Sequence, residues 1–398
     1  MYLNLNRVMI ALMYGMVLVD MMTGYQLIAN PDLNFTPGIF YKLLLLILLF
    51  YFMPRLNPLV MVVNILLYTT TLFSSLLSDI STIPTNIINA SKFLMFITFF
   101  YYLTFLSKRN VINNRTLYNI ALFTYVVIII NQIFGILGFG KATYMVNGIP
   151  VGTSGFFFEH NATGIVLLIV SAIIYMYRRN SISNIKLLSF AILTLIIGFS
   201  FATKTAIIGS VIIALIAFYD RQRKYLPLVV GLGAVLIMLN WGVIQETGQV
   251  SKVIDQMDQD ESNALLSGRE DRFVKGTNDY FVKFTFLEKA IGIGSYRFVN
   301  EDNGVGGSSE IDFIDILKIS GLVGFIVVYI PFLWISYLCL HHYRRYKIKE
   351  FAIVLVLNIV FLVISSTAGH LFPSGSVTFY LALLNAYPFY VLNGKLDS

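Results

Sequence analysis

Twelve long apolar runs constrain the fold of this 398-residue chain more than any other feature. A helix needs about 20 mostly apolar residues to cross the bilayer core, where every backbone polar group must be satisfied within the segment. The runs are Arg7–Ala29, Gly38–Met53, Pro58–Leu77, Asn86–Leu106, Leu117–Gly138, His160–Tyr177, Ile185–Phe199, Thr203–Tyr219, Tyr225–Trp241, Asp312–Leu340, Phe351–Ser366 and Pro373–Leu392. The sequence therefore predicts an all-α, polytopic integral membrane bundle of about twelve transmembrane helices, forming a single membrane domain over residues 1–398.

Charge content supports this class and excludes others. Only 12% of the residues are charged and 57% are hydrophobic, whereas soluble globular proteins are about 25% charged. A soluble multi-domain enzyme, a disordered chain and a nucleic-acid-binding protein are thereby excluded, since the net charge of +7 comes from short basic clusters between apolar runs. Cys339 is the only cysteine, which excludes an intramolecular disulfide and a cysteine-based metal centre.

Basic residues follow every even-numbered run, and this alternation predicts the orientation. Cytoplasmic loops collect Lys and Arg, so we expect both termini in the cytoplasm of a multi-pass protein of the cytoplasmic membrane. The alternation also favours two short spans over one broken helix within Ile185–Tyr219. A signal peptide is the alternative for the first run, but its length and Asp20 favour a membrane span. The clusters are Arg55; Lys108, Arg109 and Arg115; Arg178, Arg179 and Lys186; Arg221, Arg223 and Lys224; Arg344, Arg345, Lys347 and Lys349; and Lys395.

Acidic residues show the opposite distribution. Only Asp220, Glu350 and Asp397 fall on the predicted cytoplasmic side. One long segment, residues 242–311, mixes many carboxylates with basic residues, and loops of this length without a function are uncommon. We expect it to form a large, partly helical extracytoplasmic loop, and we expect the chemistry of the protein on that face.

Polar residues gather where the even-numbered spans begin, on the expected outer face. Free backbone N–H groups and the helix dipole make such positions natural anion sites. Lys204, Arg269 and Arg272 would add full positive charges, and a pyrophosphate at the membrane surface is a ligand that would use all of them. The polar groups at the span starts are Glu159–Asn161, Thr203–Thr205, Glu310, Asp312 and His370.

Several short motifs resemble those of a known family when taken in order. They are Gly152–Gly164 (GTSGFFFEHNATG), Phe199–Ala206 (FSFATKTA), Leu266–Arg269 (LSGR), Gly292–Gly294 (GIG), and Glu310–Leu317 (EIDFIDIL) followed by Gly321–Gly324 (GLVG). Over about Gly152–Ser376 the chain resembles the O-antigen polymerase and ligase superfamily of bacterial surface-polysaccharide assembly. Lys204 stands where that family usually has Arg. Ser308-Ser309 stands where the ligase branch usually has His, which favours the Wzy-type polymerase branch.

The resemblance implies a glycosyltransferase that joins two polyprenyl-pyrophosphate-linked oligosaccharides, donor and acceptor, outside the cell. Such an enzyme polymerises O-antigen, capsule or exopolysaccharide without a metal or other cofactor. Membrane lipids, a flippase and chain-length regulators would be its further partners. The implied pyrophosphate-binding residues are Arg269, Lys204, Arg272 and His160, and the candidates for activating the acceptor hydroxyl are Glu310, His370 and Asp312.

Each of these residues also has a structural alternative. Arg272 lies in a charged run and would be solvated, Lys204 would extend to the membrane interface, and the histidines would be packing residues. Asp315 and Lys318, spaced by three on one helix face, would form an internal ion pair. For the whole chain the alternatives are an O-antigen-ligase-like glycan transferase and a lipid-linked oligosaccharide flippase or transporter. Transporters usually carry matching halves with polar sites at the midplane, and no such halves are visible in this sequence.

Overall fold

The computed structural model describes residues 2–30, 36–146, 149–221, 223, 269–300 and 308–396, and these ranges are mostly helical. Nine helices within them are long and apolar enough to cross a membrane, which confirms the all-α polytopic membrane class. Counting the shorter ones, the described ranges contain fourteen α-helices. They are α1 Tyr2–Ala29, α2 Pro37–Phe52, α3 Pro58–Ser78, α4 Ile83–Lys108, α5 Asn114–Ile136, α6 His160–Arg178, α7 Asn184–Ser200, α8 Lys204–Arg221, α9 Arg269–Asn278, α10 Phe286–Ile291, α11 Gly294–Asn300, α12 Asp312–Tyr346, α13 Lys349–Thr367 and α14 Gly375–Leu396.

Each predicted span that falls within the described ranges has a helical counterpart. The segment Ile185–Tyr219 forms two helices, α7 and α8, as the alternation of basic loops indicated. α7 is an apolar helix shorter than the nine candidate spans. The predicted span Tyr225–Trp241 lies outside the described residues.

The chain divides into two compact units. The first comprises Met1–Leu12, Ile39–Asn114 and Gly268–Ser398, and the second comprises Met13–Gly38 and Arg115–Ser267. The single membrane domain and the loop boundaries at 242 and 311 stay predictions.

In the first unit, α4 and α14 form the centre of the core. Both are apolar on most sides and are buried on most sides, as expected for helices without a polar face. The rings of Phe99 and Phe379 meet edge to face at 5.0 Å, and the Tyr390 hydroxyl donates to the Leu103 carbonyl at 2.6 Å. These contacts hold α14 against α4 along its length, and α14 follows a loop with candidate site residues.

The segment Arg269–Asn300 packs on the first part of α12, also within the first unit. Gly321 interrupts α12 with φ +65° and ψ −168°, a conformation nearly restricted to glycine. A Cβ at Gly321 would lie 2.4 Å from the Ala290 carbonyl oxygen, and one at Gly292 would lie 2.2 Å from that of Ile319. The backbones therefore touch without side chains between them, and the Ile293 N–H donates to the Lys318 carbonyl at 2.9 Å.

The second unit contains a feature that the sequence reading missed. Two antiparallel strands, β1 Lys141–Val146 and β2 Ile149–Gly155, form a hairpin ahead of α6. The Asn147-Gly148 dipeptide between two runs with β-branched residues is the ordinary sequence signal for a hairpin. The Asn131 side chain holds its end, donating to the Ser154 carbonyl at 2.9 Å and accepting from the Phe156 N–H at 2.8 Å.

Candidate functional site

The structure brings together a cation and a carboxylate that the sequence singled out in separate motifs. Arg272 Nη1, on α9, lies 2.5 Å from Glu310 Oε1, just ahead of α12. Their side chains are 48% and 36% exposed, so the pair is accessible to a ligand. The Glu310 N–H also donates to the Ser308 hydroxyl at 3.0 Å, which orders the backbone before α12.

Asp312 anchors the loop that carries His370. Its carboxylate is 2% exposed, and Oδ2 accepts the N–H groups of Leu371 at 2.9 Å and Phe372 at 3.2 Å. A Cβ at Gly369 (φ +64°) would lie 2.6 Å from the Glu310 carbonyl oxygen. The His370 loop therefore lies against the backbone of Glu310, and three predicted site residues share one small region.

Two of these residues hold unusual backbone conformations. Glu310 has φ +57° and His370 has φ +66°. For a residue with a side chain, this left-handed region has a conformational free-energy cost on the order of 1 kcal/mol or more, and such residues cluster at functional sites. Asn110 and Lys347 share the conformation, but they follow the ends of α4 and α12, where it is an ordinary helix cap.

Asp315 holds the segment that leads to Glu310. The carboxylate is 7% exposed. It accepts the Ser309 N–H at 2.8 Å, the Ser309 hydroxyl at 2.7 Å and the Ser308 hydroxyl at 2.7 Å. The two serines, noticed in the sequence only for the histidine they replace, thus have a structural role in placing the candidate base.

The structure gives Lys318 a partner that the sequence reading missed. Lys318, 1% exposed, forms a salt bridge with the fully buried Asp279 at 3.4 Å, and Lys283 binds the other oxygen of Asp279 at 2.8 Å. Asp315, the partner expected from helical spacing, lies one turn away on α12 and also interacts with Lys318 electrostatically. Because Asp279 comes from the segment packed on α12, this contact joins that segment to the site.

A second ion pair orders the same segment. Glu288 accepts hydrogen bonds from the N–H and hydroxyl of Thr285, forming a capping box at the start of α10, and lies 3.0 Å from Arg297. Burial alone raises the pKa of Glu288, but the hydrogen bonds from Thr285 and the charge of Arg297 outweigh it, so the pKa is lowered. The carboxylate is therefore ionised at neutral pH and supports α10 and α11.

The remaining predicted residues lie elsewhere. Arg269 begins α9, one turn before Arg272. In the second unit His160 begins α6 and the exposed Lys204 begins α8. These two helix starts are close, because a Cβ at Gly164 would lie 2.9 Å from that of Ala206. His160 also meets the Tyr144 ring of β1 at 5.5 Å.

The candidate site of the first unit lies in a part of the chain that is similar to a known protein family. Residues 242–393 match the family described as O-antigen ligase like membrane protein. This part of the chain is similar to that family. The match includes Arg272, Glu310, Asp312 and His370, and it supports the ligase and polymerase superfamily. No curated protein matches the chain.

The match indicates a membrane enzyme of glycan processing, and the site has groups suited to such chemistry. An accessible guanidinium can neutralise an anionic leaving group, and a neighbouring carboxylate or imidazole can take a proton from a hydroxyl. His160 and Lys204 precede the matched residues. Within the described ranges, no group of three or more His, Cys, Asp or Glu is arranged to hold a metal ion.

Proposed function

We propose that this protein is a polysaccharide polymerase that joins polyprenyl-pyrophosphate-linked oligosaccharides at the outer face of the cytoplasmic membrane. The observation that carries the proposal is the contact between Arg272 and Glu310, 2.5 Å apart. A group suited to the leaving pyrophosphate and a group suited to the acceptor hydroxyl thus occur side by side. Both lie in the region similar to O-antigen ligase like membrane proteins.

The proposed reaction requires neutralisation of the charge on the leaving pyrophosphate and one acceptor for the hydroxyl proton. The acceptor sugar oxygen forms a bond to the anomeric carbon of the donor while the bond from that carbon to the pyrophosphate breaks. The hydroxyl proton passes to Glu310 or His370, and the polyprenyl pyrophosphate leaves with its charge balanced by Arg272 and Arg269. When a pyrophosphate binds Arg272, it competes with Glu310 for the guanidinium and frees the carboxylate for the acceptor.

Asp312 has a different role in this proposal. Its Oδ2 already accepts two backbone N–H groups, so it positions the loop of His370 instead of contacting substrate. Lys204 and His160 are proposed as further pyrophosphate-binding residues. Membrane lipids surround the enzyme, and a flippase that delivers repeat units and a chain-length regulator are its proposed partners.

Reconstitution tests the proposal. The full chain in detergent, given only polyprenyl-pyrophosphate-linked repeat units, should produce a ladder of longer lipid-linked glycans. Glu310→Gln and Arg272→Gln should each lower the rate by about 10²- to 10⁴-fold, as expected for loss of a proton acceptor or of charge stabilisation. Their thermal unfolding should change little, because such an exposed ion pair contributes about 0.2–1 kcal/mol. Glu288→Gln is the matched control, because it removes the carboxylate of a different ion pair, Glu288–Arg297, and it should keep the ladder.

Other outcomes would point elsewhere. A ladder that survives Glu310→Gln but is lost in His370→Gly would make His370 the proton acceptor; glycine suits the backbone there because φ is +66°. Transfer of one glycan to a different acceptor, without elongation, would establish a ligase-like transferase and overturn the polymerase proposal. Translocation of the lipid-linked unit in liposomes without ATP and without elongation would establish a flippase and overturn the proposal.

A further inference from the structure

Two lysines that lie outside the region of the family match come from different helices and meet at the start of α14. Lys42 lies on α2 and Lys92 on α4. Lys42 Nζ donates to the Ser376 hydroxyl at 2.8 Å. A Cβ at Gly375 would lie 3.3 Å from Lys42 Cδ and 3.6 Å from Lys92 Cγ, so the aliphatic parts of both lysines pass the same glycine.

The environment of these lysines points to a function. Both belong to candidate membrane spans, Pro37–Arg55 and Ile80–Lys108, and both are half-buried. A lysine inside a span is costly, and such residues usually mark the path or site of a ligand. Both also lie by the first turn of α14, where the helix dipole is positive. Two ammonium groups and this dipole attract the same kind of ligand, which is an anion.

The lysine pair is connected to the candidate active site by a short, well-held stretch of chain. Asp312 fixes Leu371 and Phe372, and α14 begins at Gly375. The Thr378 hydroxyl donates to the Ser374 carbonyl at 3.0 Å and also lies 3.3 Å from the Lys92 carbonyl, so α4 packs against the first turn of α14. An anion bound at the first turn of α14 would thus lie at the C-terminal end of the loop that carries His370.

We propose that Lys42 and Lys92, with the Ser376 hydroxyl, bind the phosphate groups of a second lipid-linked substrate. This inference rests on the proposed function in one respect: a polymerase handles two lipid-linked oligosaccharides at once, and each carries a pyrophosphate. The pyrophosphate-binding residues proposed above serve one of them, and the lysine pair supplies cations for the other. Lysine binds phosphate as a point charge, and two lysines suit the two phosphates of one ligand. A ligase-like transferase needs a single pyrophosphate site.

Binding, measured without catalysis, tests the inference. The full chain in phosphatidylcholine nanodiscs is titrated with farnesyl pyrophosphate, a short polyprenyl pyrophosphate. Wild type should bind two equivalents. The Lys42→Gln/Lys92→Gln double variant should bind one, or bind the second at least about tenfold more weakly, as expected for lost charge-assisted hydrogen bonds. Lys108→Gln, at the other end of α4, is the matched control, and Lys42→Arg/Lys92→Arg should keep the second site. An unchanged isotherm in the double Gln variant would overturn the inference.

A measurement on the unmodified chain covers the case in which the variants do not fold. Lysine acetylation read by mass spectrometry should slow at Lys42 and Lys92 when farnesyl pyrophosphate is added, and should not slow at Lys108. Protection by phosphatidylglycerol nanodiscs alone, with none from farnesyl pyrophosphate, would assign the site to a phospholipid headgroup and overturn the substrate role. Because neither readout needs glycosyl transfer, a failure of the polymerase proposal stays distinguishable from a failure of this one.

Discussion

At the residue scale, three neighbouring carboxylates near the start of α12 have different surroundings. Glu310 is partly exposed and faces Arg272. Asp312 and Asp315 are buried, the first accepting backbone N–H groups and the second accepting hydrogen bonds from two serines. A carboxylate whose oxygens already accept backbone N–H groups is suited to positioning a loop. An accessible carboxylate beside a cation is suited to proton transfer. The spacing of the three in sequence does not reveal this difference, because it depends on distant loops.

Removal of the Asp312 carboxylate should therefore affect folding before chemistry. Asp312→Ala leaves two buried N–H groups without an acceptor, and each costs about 1–3 kcal/mol. We expect a clearly lower unfolding midpoint in detergent, together with loss of activity. Asp312→Asn keeps an acceptor oxygen of the same shape and should lose much less stability. Asp79→Ala serves as the control, because that exposed carboxylate bonds to Ser81 two residues away. Equal midpoints for Asp312→Ala and wild type would contradict the positioning role.

Lys318 shows what helical spacing alone leaves out. The three-residue spacing correctly placed Asp315 and Lys318 on the same early part of α12, but it sees only neighbours within one helix. Lys318 also has a buried salt-bridge partner, Asp279, which comes from another element. Hydrophobic periodicity carries no information on which distant carboxylate will meet a buried lysine.

At the scale of elements, the segment Arg269–Asn300 depends on glycine contacts with α12. Gly321→Ala should detach it, because the new Cβ would lie 2.4 Å from the Ala290 carbonyl and the native φ and ψ are nearly restricted to glycine. We expect a loss of about 2 kcal/mol or more in stability, and faster hydrogen exchange in α10 and α11. Gly394→Ala, where a Cβ meets open space in a helix, should be neutral. Unchanged exchange in Gly321→Ala would refute the role of this contact.

The Glu288 pair should make the same segment sensitive to acid. Since the pKa of Glu288 is lowered in the folded state, its contribution to stability is present above the unfolded pKa of about 4.5 and is lost as the pH falls through the lowered folded value. Hydrogen exchange of residues 285–298, corrected for intrinsic rates, should accelerate between about pH 5 and pH 3. Glu288→Gln should remove most of this acid dependence. The same acid response in both proteins would mean that another group is responsible.

At the scale of the whole molecule, the sequence predicted the membrane helices well because the length and apolarity of a run are local properties. It also predicted the separation of α7 from α8. The hairpin was not predicted, because its Asn-Gly turn signal lies between two short strands and outside the long apolar runs. The sequence motifs indicated Arg272, Glu310, Asp312 and His370 but not their contacts. No motif indicated Lys42 or Lys92. Those contacts join residues distant in sequence, which no single-sequence pattern reports.

The predicted orientation of the chain has a direct test that also bears on the proposed reaction. If cytoplasmic loops collect the basic residues, Phe286 lies outside the cell and Ser181, beside Arg178 and Arg179, lies inside. Both side chains are exposed, whereas the single native cysteine, Cys339, is fully buried. In a Cys339→Ala background, Phe286→Cys should react with a membrane-impermeant maleimide on intact cells, and Ser181→Cys should react only after the membrane is opened. The reverse pattern would place the Arg272–Glu310 pair in the cytoplasm and would rule out polymerisation at the outer face.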